Sequence, residues 1–214
     1  MGNMKRVAFW VFLLAMAPAS WGLSIWGIDI NGLELESSVF SIVNAVGDSA
    51  PDPLVNTIGV SVPFRFMGRY LFRPEIQMFF VSYSYQGGRA VPEDSMFDNV
   101  VVLSLMLNPT FGYEFPLNPT LAWTVEGGLG FLLRSPVFLN GATAGDMALP
   151  VTSWLLAGRL FYPNVGTGIT WQFSPLFAIT LRAQLFYPIF DLWNNLPWYD
   201  ELTYGAGLGV RFTF

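Results

Sequence analysis

The sequence predicts an all-β fold, an eight-stranded antiparallel transmembrane up-and-down β-barrel, on three observations. The first is strict alternation at the carboxyl end. Phe214, Phe212, Val210, Leu208, Ala206, Tyr204 and Leu202 make one apolar face, and Thr213, Arg211, Gly209, Gly207, Gly205 and Thr203 make the other. A period of two is a strand between two environments. An apolar face opposite a small or polar one suits lipid outside and a lumen inside. The second is a repeat. Phe64-Arg65-Phe66, Tyr113-Glu114-Phe115 and Trp171-Gln172-Phe173 share the aromatic–polar–Phe pattern of Phe212-Thr213-Phe214. Each internal copy is followed by a short turn (Met67-Gly68-Arg69, Pro116-Leu117-Asn118-Pro119, Ser174-Pro175-Leu176), and the chain restarts at Tyr70, Leu121 and Phe177. The period is roughly 50 residues. Two strands per repeat, each pair ending on aromatics at one level, meet the need for an interfacial belt. The third is composition: 53% of residues are hydrophobic and 12% charged, yet beyond the N-terminus no apolar run is long enough for a spanning helix. A membrane barrel reconciles the two. The competing fold is a soluble sandwich whose strands end in aromatics.

The N-terminus is set apart. Lys5 and Arg6 precede the apolar run from Val7 to Met16, and Ala17-Pro18-Ala19 supplies small residues. This is the pattern of a secretory signal peptide over residues 1–19, with cleavage after Ala19 or as late as Gly22. Residues 23–214 are left for the barrel.

The first strand is expected from Leu23 to about Val43. Leu33-Glu34-Leu35-Glu36 alternates, Ile28 and Ile30 stand in the opposite phase, and a bulge near Asn31-Gly32 reconciles them. Gly47 to Leu54 is the first long loop. The second strand descends to Phe66 with Ile58, Val60, Val62 and Phe64 outward. The third climbs from Tyr70 with Phe72, Pro74, Ile76, Met78 and Phe80 outward and Arg73, Glu75 and Gln77 inward. A phase change then places Tyr83 and Tyr85 in an outer aromatic belt. Gln86 to Asn99 is the second loop. The fourth strand carries Val101, Leu103, Leu105, Leu107, Phe111, Tyr113 and Phe115 outward. The fifth, Leu121 to Arg134, has Trp123, Val125, Leu129, Phe131 and Leu133 outward and Thr124, Glu126, Gly128 and Gly130 inward. Ser135 to Pro150 is the third loop. The sixth strand is expected from about Val151 to Phe173, interrupted at Pro163-Asn164. The seventh runs from Phe177 to about Ile189 with Thr180, Arg182 and Gln184 inward, and Phe190 to Glu201 is the fourth loop. Short turns on one side and long loops on the other match the outer-membrane plan.

The residue inventory excludes much chemistry. No His occurs, which removes Ser-His-Asp triads, HExxH zinc sites and His general bases. No Cys occurs, which removes thiol catalysis, disulfides and lipid anchoring through a mature N-terminal Cys. Acidic residues outnumber basic ones 15 to 10, which argues against nucleic acid. No enzyme activity, cofactor or metal site is expected. Glu114 and Glu126 lie on neighbouring strands and could act as an acid–base pair. Pairing with lumen arginines is the stronger reading, because an unpaired charge in a narrow interior is costly. The expected lumen network is Arg65, Arg73, Glu75, Glu114, Glu126, Arg182 and Arg211, with the inward glycines opening space beside it. The loop acids form either a negative rim or ordinary solvated loops. Phe138, Leu139, Met147, Trp193, Leu196, Trp198 and Tyr199 form either an aromatic belt or a greasy entrance. Pro163 and Pro188 fall at similar heights on adjacent strands. They mark either the end of the paired region or a lateral notch, with Pro74 and Pro109 a second candidate.

The whole mature stretch resembles the small eight-stranded outer-membrane proteins of diderm bacteria, the OmpW, OmpA and OmpX types. The sharpest shared feature is the terminal strand ending Arg211-Phe212-Thr213-Phe214. The resemblance implies an outer-membrane location with long loops extracellular and turns and mature termini periplasmic. It implies Phe212 and Phe214 as an assembly signal read by the barrel-assembly machinery, with periplasmic chaperones and outer-membrane lipids as further partners. The OmpW type implies passage of small apolar solutes, released sideways through the wall. A structural barrel or a surface adhesin presenting its loops is the alternative, since this architecture hosts unrelated activities.

Overall fold

The computed structural model describes residues 24–25, 28–45, 52–94, 99–141, 144–157, 159–193 and 195–213. The expected signal peptide and Phe214 lie outside the described residues.

Eight antiparallel strands close into a ring. β1 comprises Ile28–Ile30 and Leu33–Ile42, β2 Leu54–Ser61 and Phe64–Phe66, β3 Tyr70–Arg73 and Glu75–Gln86, and β4 Asn99–Leu107 and Thr110–Pro116. β5 is Leu121–Asn140, β6 Phe161–Gln172, β7 Phe177–Phe186 and β8 Thr203–Phe212. Each strand pairs with its neighbours in sequence. β8 closes on β1 from Thr203–Ile42 to Phe212–Leu33. Closure satisfies the strand backbones internally, the condition for crossing lipid with sheet. Among the described residues no helix is long and apolar enough to cross a membrane.

The wall follows the alternation. Leu35, Ile58, Ile76, Met78, Phe80, Phe111, Leu129, Val165, Leu181 and Leu208 are exposed, while the residues between them are buried inside. In an aqueous protein so large an apolar exterior would be a liability; in a bilayer it is the matched surface. The bulge expected in β1 is present. The β1–β2 register shifts by one residue between Ile30–Phe64 and Glu34–Ser61. Gly32 takes φ 126° there, so Ile28 and Leu33 both face out.

At the turn end the aromatics touch in series. Phe72 stacks on Phe111 at 4.6 Å, Tyr113 packs on Phe115 at 4.7 Å, and Phe115 stacks on Trp123 at 5.0 Å. Trp171, Phe173, Phe177 and Phe212 continue the girdle. Amphipathic rings at one height fit a membrane–water boundary.

The loop end departs from expectation in two places. Residues 144–156, read as the third loop and the top of the sixth strand, form helix α1, Ala144–Leu156. Ala144, Val151 and Leu155 are its buried residues, with Met147, Ala148 and Trp154 packed partly beneath. That spacing is a 3.6-residue stripe. Pro150, which reads as a breaker, is accommodated inside the helix. The helix buries its stripe against Ile42, Val55, Val81, Tyr83, Val100 and Val102 and so caps the barrel. The second departure is in β3, where no phase change occurs. Phe79, Val81 and Tyr83 continue the inward set of Gln77, and Tyr83 is 3% exposed, in the cap and not in an outer belt. A short return strand, Arg89–Glu93, pairs with Ser82–Gln86 and completes the cap.

Candidate functional site

The candidate site is the barrel interior, stacked in layers from the turn end to the loop end. The turn end opens into a vestibule of about 440 Å³ lined by Arg65, Glu114, Gln172, Arg211 and the turn residues Asn118 to Leu121. Arg65 Nη2 lies 2.5 Å from Glu114 Oε1, with Arg65 partly solvated.

Above the vestibule sits a buried charge layer centred on Arg182. Its Nη1 donates to Glu36 Oε2 at 2.7 Å and its Nη2 to Glu75 Oε2 at 2.9 Å. Its Nε lies 3.1 Å from Glu126 Oε1. Arg73 reaches the same Glu126 oxygen at 3.4 Å, and Arg211 Nε donates to Glu34 Oε2 at 2.8 Å. All of these side chains are nearly inaccessible. Hydroxyls and amides also donate to these carboxylates: Ser38 to Glu36, Thr180 to Glu34, Thr110 to Glu126, and Gln77 and Asn108 to Glu75. Asn164 donates to Asn108 at 2.9 Å, and Gln77 to Gln184 at 3.4 Å, forming an amide collar above the charges.

Glycine makes room for this layer. Glu36 stands between Gly59 and Gly209, Arg182 between Gly168 and Gly207, and Glu126 between Gly112 and Gly166. A Cβ at Gly168 would meet Arg182 Cγ at 2.8 Å, and one at Gly166 would meet Glu126 Cγ at 3.3 Å. Side chains from eight strands fill so narrow a barrel. Long charged groups therefore fit only where their cross-strand neighbours have no side chain.

Above the collar the lining turns apolar. Phe40, Met106, Leu132, Tyr162, Phe186 and Phe190 form one buried cluster. A cavity of about 40 Å³ lies among Phe40, Phe79, Met106, Leu132, Tyr162 and Phe186, with Arg134, Glu201 and Thr203 at its edge. The cap closes over it. Arg89 Nη1 lies 2.5 Å from Asp200 Oδ2, and Asp200 Oδ1 accepts the Ala45 N–H at 2.9 Å. Arg134 donates to the Tyr162 hydroxyl, and the Arg159 guanidinium lies 3.6 Å from the Trp154 ring centroid. Glu201, at φ 60°, is buried among Arg134, Arg159, Asp200 and Arg89. Burial pushes its carboxyl above the ordinary range, and the arginines only partly oppose this.

The seven residues expected in the lumen network all lie in the interior, but in two groups. Arg65 and Glu114 belong to the vestibule; Arg73, Glu75, Glu126, Arg182 and Arg211 belong to the buried layer. Glu114 and Glu126 answer to different arginines. Sequence reasoning did not assign Glu34 and Glu36 to the network, although the alternation of Leu33-Glu34-Leu35-Glu36 already pointed both inward. The residues read as a greasy entrance are dispersed. Met147 packs in the cap, Phe138 and Leu139 stand exposed high on β5, and Trp193, Trp198 and Tyr199 are exposed on the fourth loop. Leu196 is half-buried on that loop. Asp191, Asp200 and Glu201 are buried and belong to no solvated rim. Pro163 pairs opposite Leu129, and its carbonyl accepts the Tyr187 N–H at 2.8 Å. The β6–β7 ladder ends at Asn164–Phe186, just below Pro163 and Pro188.

No protein-family model and no curated protein matches the chain. Solved structures do. Neisserial surface protein A aligns with a TM-score of 0.54 and 11% identity over 88% of this chain and 97% of that one. Ail, the attachment invasion locus protein of Yersinia pestis, gives 0.46 and 10% over 89% and 100%. The N-terminal barrel domain of Pseudomonas aeruginosa OprF gives 0.40 and 14% over 85% and 97%. The likeness to the neisserial protein is one of fold: a small transmembrane β-barrel.

Two outcomes follow from this interior. Arg182→Met strands Glu36 and Glu75 and should destabilise the barrel by roughly 3–5 kcal/mol in denaturant unfolding from detergent. Gly168→Val should cost a comparable amount by displacing the same guanidinium, whereas Arg65→Met in the wet vestibule should cost about 1 kcal/mol or less. The second concerns pH. A folded carboxyl that holds its proton above the unfolded value favours the folded cap at low pH. The contribution is complete below the unfolded pKa and is lost as pH rises through the folded one. Hydrogen exchange of the fourth loop should therefore speed up as pH rises through that window, after correction for intrinsic rates. Glu201→Gln should abolish the change.

Proposed function

We propose that this chain is an outer-membrane barrel protein that admits small apolar molecules from outside into the upper half of its lumen. The basic–apolar–small leader supports export, and the two-faced last strand Thr203–Phe212, apolar toward lipid, supports handling by periplasmic chaperones and the barrel-assembly machinery. Short turns on one side and long loops on the other support turns and mature termini in the periplasm and loops outside.

The observation that carries the reading is the division of the interior. An apolar chamber lies above a dry layer of ion pairs, with the amide collar between them. An apolar solute gains by leaving water for this apolar lining, whose closed volume of about 40 Å³ must widen under the cap to hold it. It cannot continue along the axis without separating Arg182 from its carboxylates, which costs several kcal/mol. An exit through the wall is the remaining route. Tyr162 and Phe186 line the chamber and adjoin Pro163 and Pro188 at the end of the β6–β7 ladder, which supports an opening there. A non-transporting surface barrel is the second reading, favoured by the folded cap and by the exposed Trp193, Trp198 and Tyr199.

Uptake of a small aromatic hydrocarbon by liposomes containing the refolded chain separates the two. On the transport reading, Leu132→Trp should fill the chamber and cut uptake about tenfold, a barrier rise of about 1.4 kcal/mol. The Pro163→Val, Pro188→Val double variant should slow uptake while the barrel stays folded. Uptake no faster than through protein-free liposomes would leave the surface reading in place.

A further inference from the structure

Three adjacent strands are interrupted by proline at one height on the β2–β3–β4 face. The β2–β3 ladder breaks between Ser61–Glu75 and Phe64–Phe72, where Pro63 and Pro74 lie. The β3–β4 ladder breaks between Ile76–Leu107 and Arg73–Thr110, where Pro74 and Pro109 lie. The register is the same on both sides of each break, and one bond bridges each, Val62 N–H to the Pro74 carbonyl at 3.2 Å and Asn108 N–H to the Glu75 carbonyl at 2.8 Å, so the strands do not slip; at the prolines the backbone loses donors. At this seam the wall is indented by a crevice of about 440 Å³, lined by Val60, Val62, Pro74, Ile76, Leu107 and Pro109. Its floor is closed by Glu75 and Asn108, whose buried polar atoms are bonded to each other, so it is a recess and not a hole.

Below the crevice, on the same face, a track leads to the turn-side boundary. Pro74, Phe72 and Tyr70 succeed one another on the outward face of β3, and Pro109, Phe111 and Tyr113 on that of β4. Phe72 stacks on Phe111 at 4.6 Å, and Tyr70 meets Tyr113 edge-on at 5.4 Å. At the foot stands Arg69, whose Nη1 donates to the Tyr113 hydroxyl at 3.2 Å. Its position is singular among the described residues. Arg65, Arg73, Arg89, Arg182 and Arg211 are in ion pairs with carboxylates. Arg134 and Arg159 are bonded or stacked within the cap. Arg69 alone of the described arginines is exposed at the boundary without a carboxylate.

We propose that this face is a binding site for an anionic phospholipid of the turn-side leaflet. Arg69 and the Tyr113 hydroxyl hold the phosphate, and one acyl chain follows the Tyr70–Phe72–Phe111 track into the crevice. The charge fits: an exposed guanidinium with no carboxylate beside it at a headgroup boundary favours an anion, and Arg recognises phosphate through its donor fork. The lengths fit as well. Arg69 to Pro74 is about 16 Å along an extended strand, close to half of a roughly 30 Å hydrocarbon core. A lipid chain is the one apolar group always present at that depth, and filling the recess restores contacts that an empty one forfeits. The site is independent of any solute path through the lumen.

The test is native mass spectrometry of the refolded chain in micelles holding equal phosphatidylglycerol and phosphatidylcholine, with heat-modifiable migration confirming the fold of each variant. The wild-type chain should retain one phosphatidylglycerol in preference to phosphatidylcholine. Arg69→Gln should lower that retention about tenfold, the scale of one charge-assisted hydrogen bond, and Arg69→Lys should restore part of it. Leu107→Trp, which fills the crevice and spares the headgroup end, should weaken both lipids alike; Ile76→Phe serves the same purpose if that variant does not fold. Equal retention of the two lipids by wild type, or unchanged retention in Arg69→Gln, would overturn the headgroup site. Undiminished binding in the folded crevice variants would overturn the placement of the chain.

Discussion

The structure depends on one constraint: the buried charge of Arg182 must be matched by carboxylates. Its guanidinium meets Glu36, Glu75 and Glu126, contributed by β1, β3 and β5, while Arg182 itself stands on β7. Four alternate strands are thus tied across the axis by one side chain. An ion pair at this burial is weak evidence for net stability, because desolvation offsets much of its attraction. Its value here is in register. A slip of one residue in any of these strands would turn its charge toward lipid and leave the others unpaired.

The same constraint explains the glycines and the layering. A barrel of eight strands has little internal volume, and the charged side chains occupy it by standing over Gly59, Gly112, Gly166, Gly168, Gly207 and Gly209. Above the amide collar the large inward residues are Phe40, Leu132 and Phe186, which need no partners. The interior therefore divides into a wet vestibule, a dry ionic septum and an apolar chamber under a helical cap. The division limits what function can be. A water-filled pore does not fit the septum, and the apolar lining lies in the half above it.

Much of this was legible in the sequence wherever the two faces of a strand differ. Alternation in 203–212 and 121–134 gives inside and outside directly, and the repeated aromatic–polar–Phe endings give strand number and girdle. The β1 bulge was legible because Ile28 and Leu33 conflict in phase. Legibility failed where both faces are apolar. Phe79-Phe80-Val81 carries no period-two contrast, since the outer lumen is closed by the cap and is itself apolar. Tyr83 was therefore assigned to a belt when it belongs to the cap. Helix α1 was hidden by Pro150, although Ala144, Val151 and Leu155 already had helical spacing. The pairing of Glu34 with Arg211 joins residues far apart in sequence, and only closure of the barrel through β8 and β1 brings them together.

Electrical conductance is the most direct measure of the septum. With the refolded chain inserted singly in a planar bilayer, the ion-paired layer predicts no steady conductance above the membrane background in molar salt. Replacing Arg182 and its three carboxylate partners with small neutral residues should open a measurable pore if the barrel still forms. A stable, ohmic open level in the wild-type chain would contradict the account, because ions would then be crossing the layer described as dry.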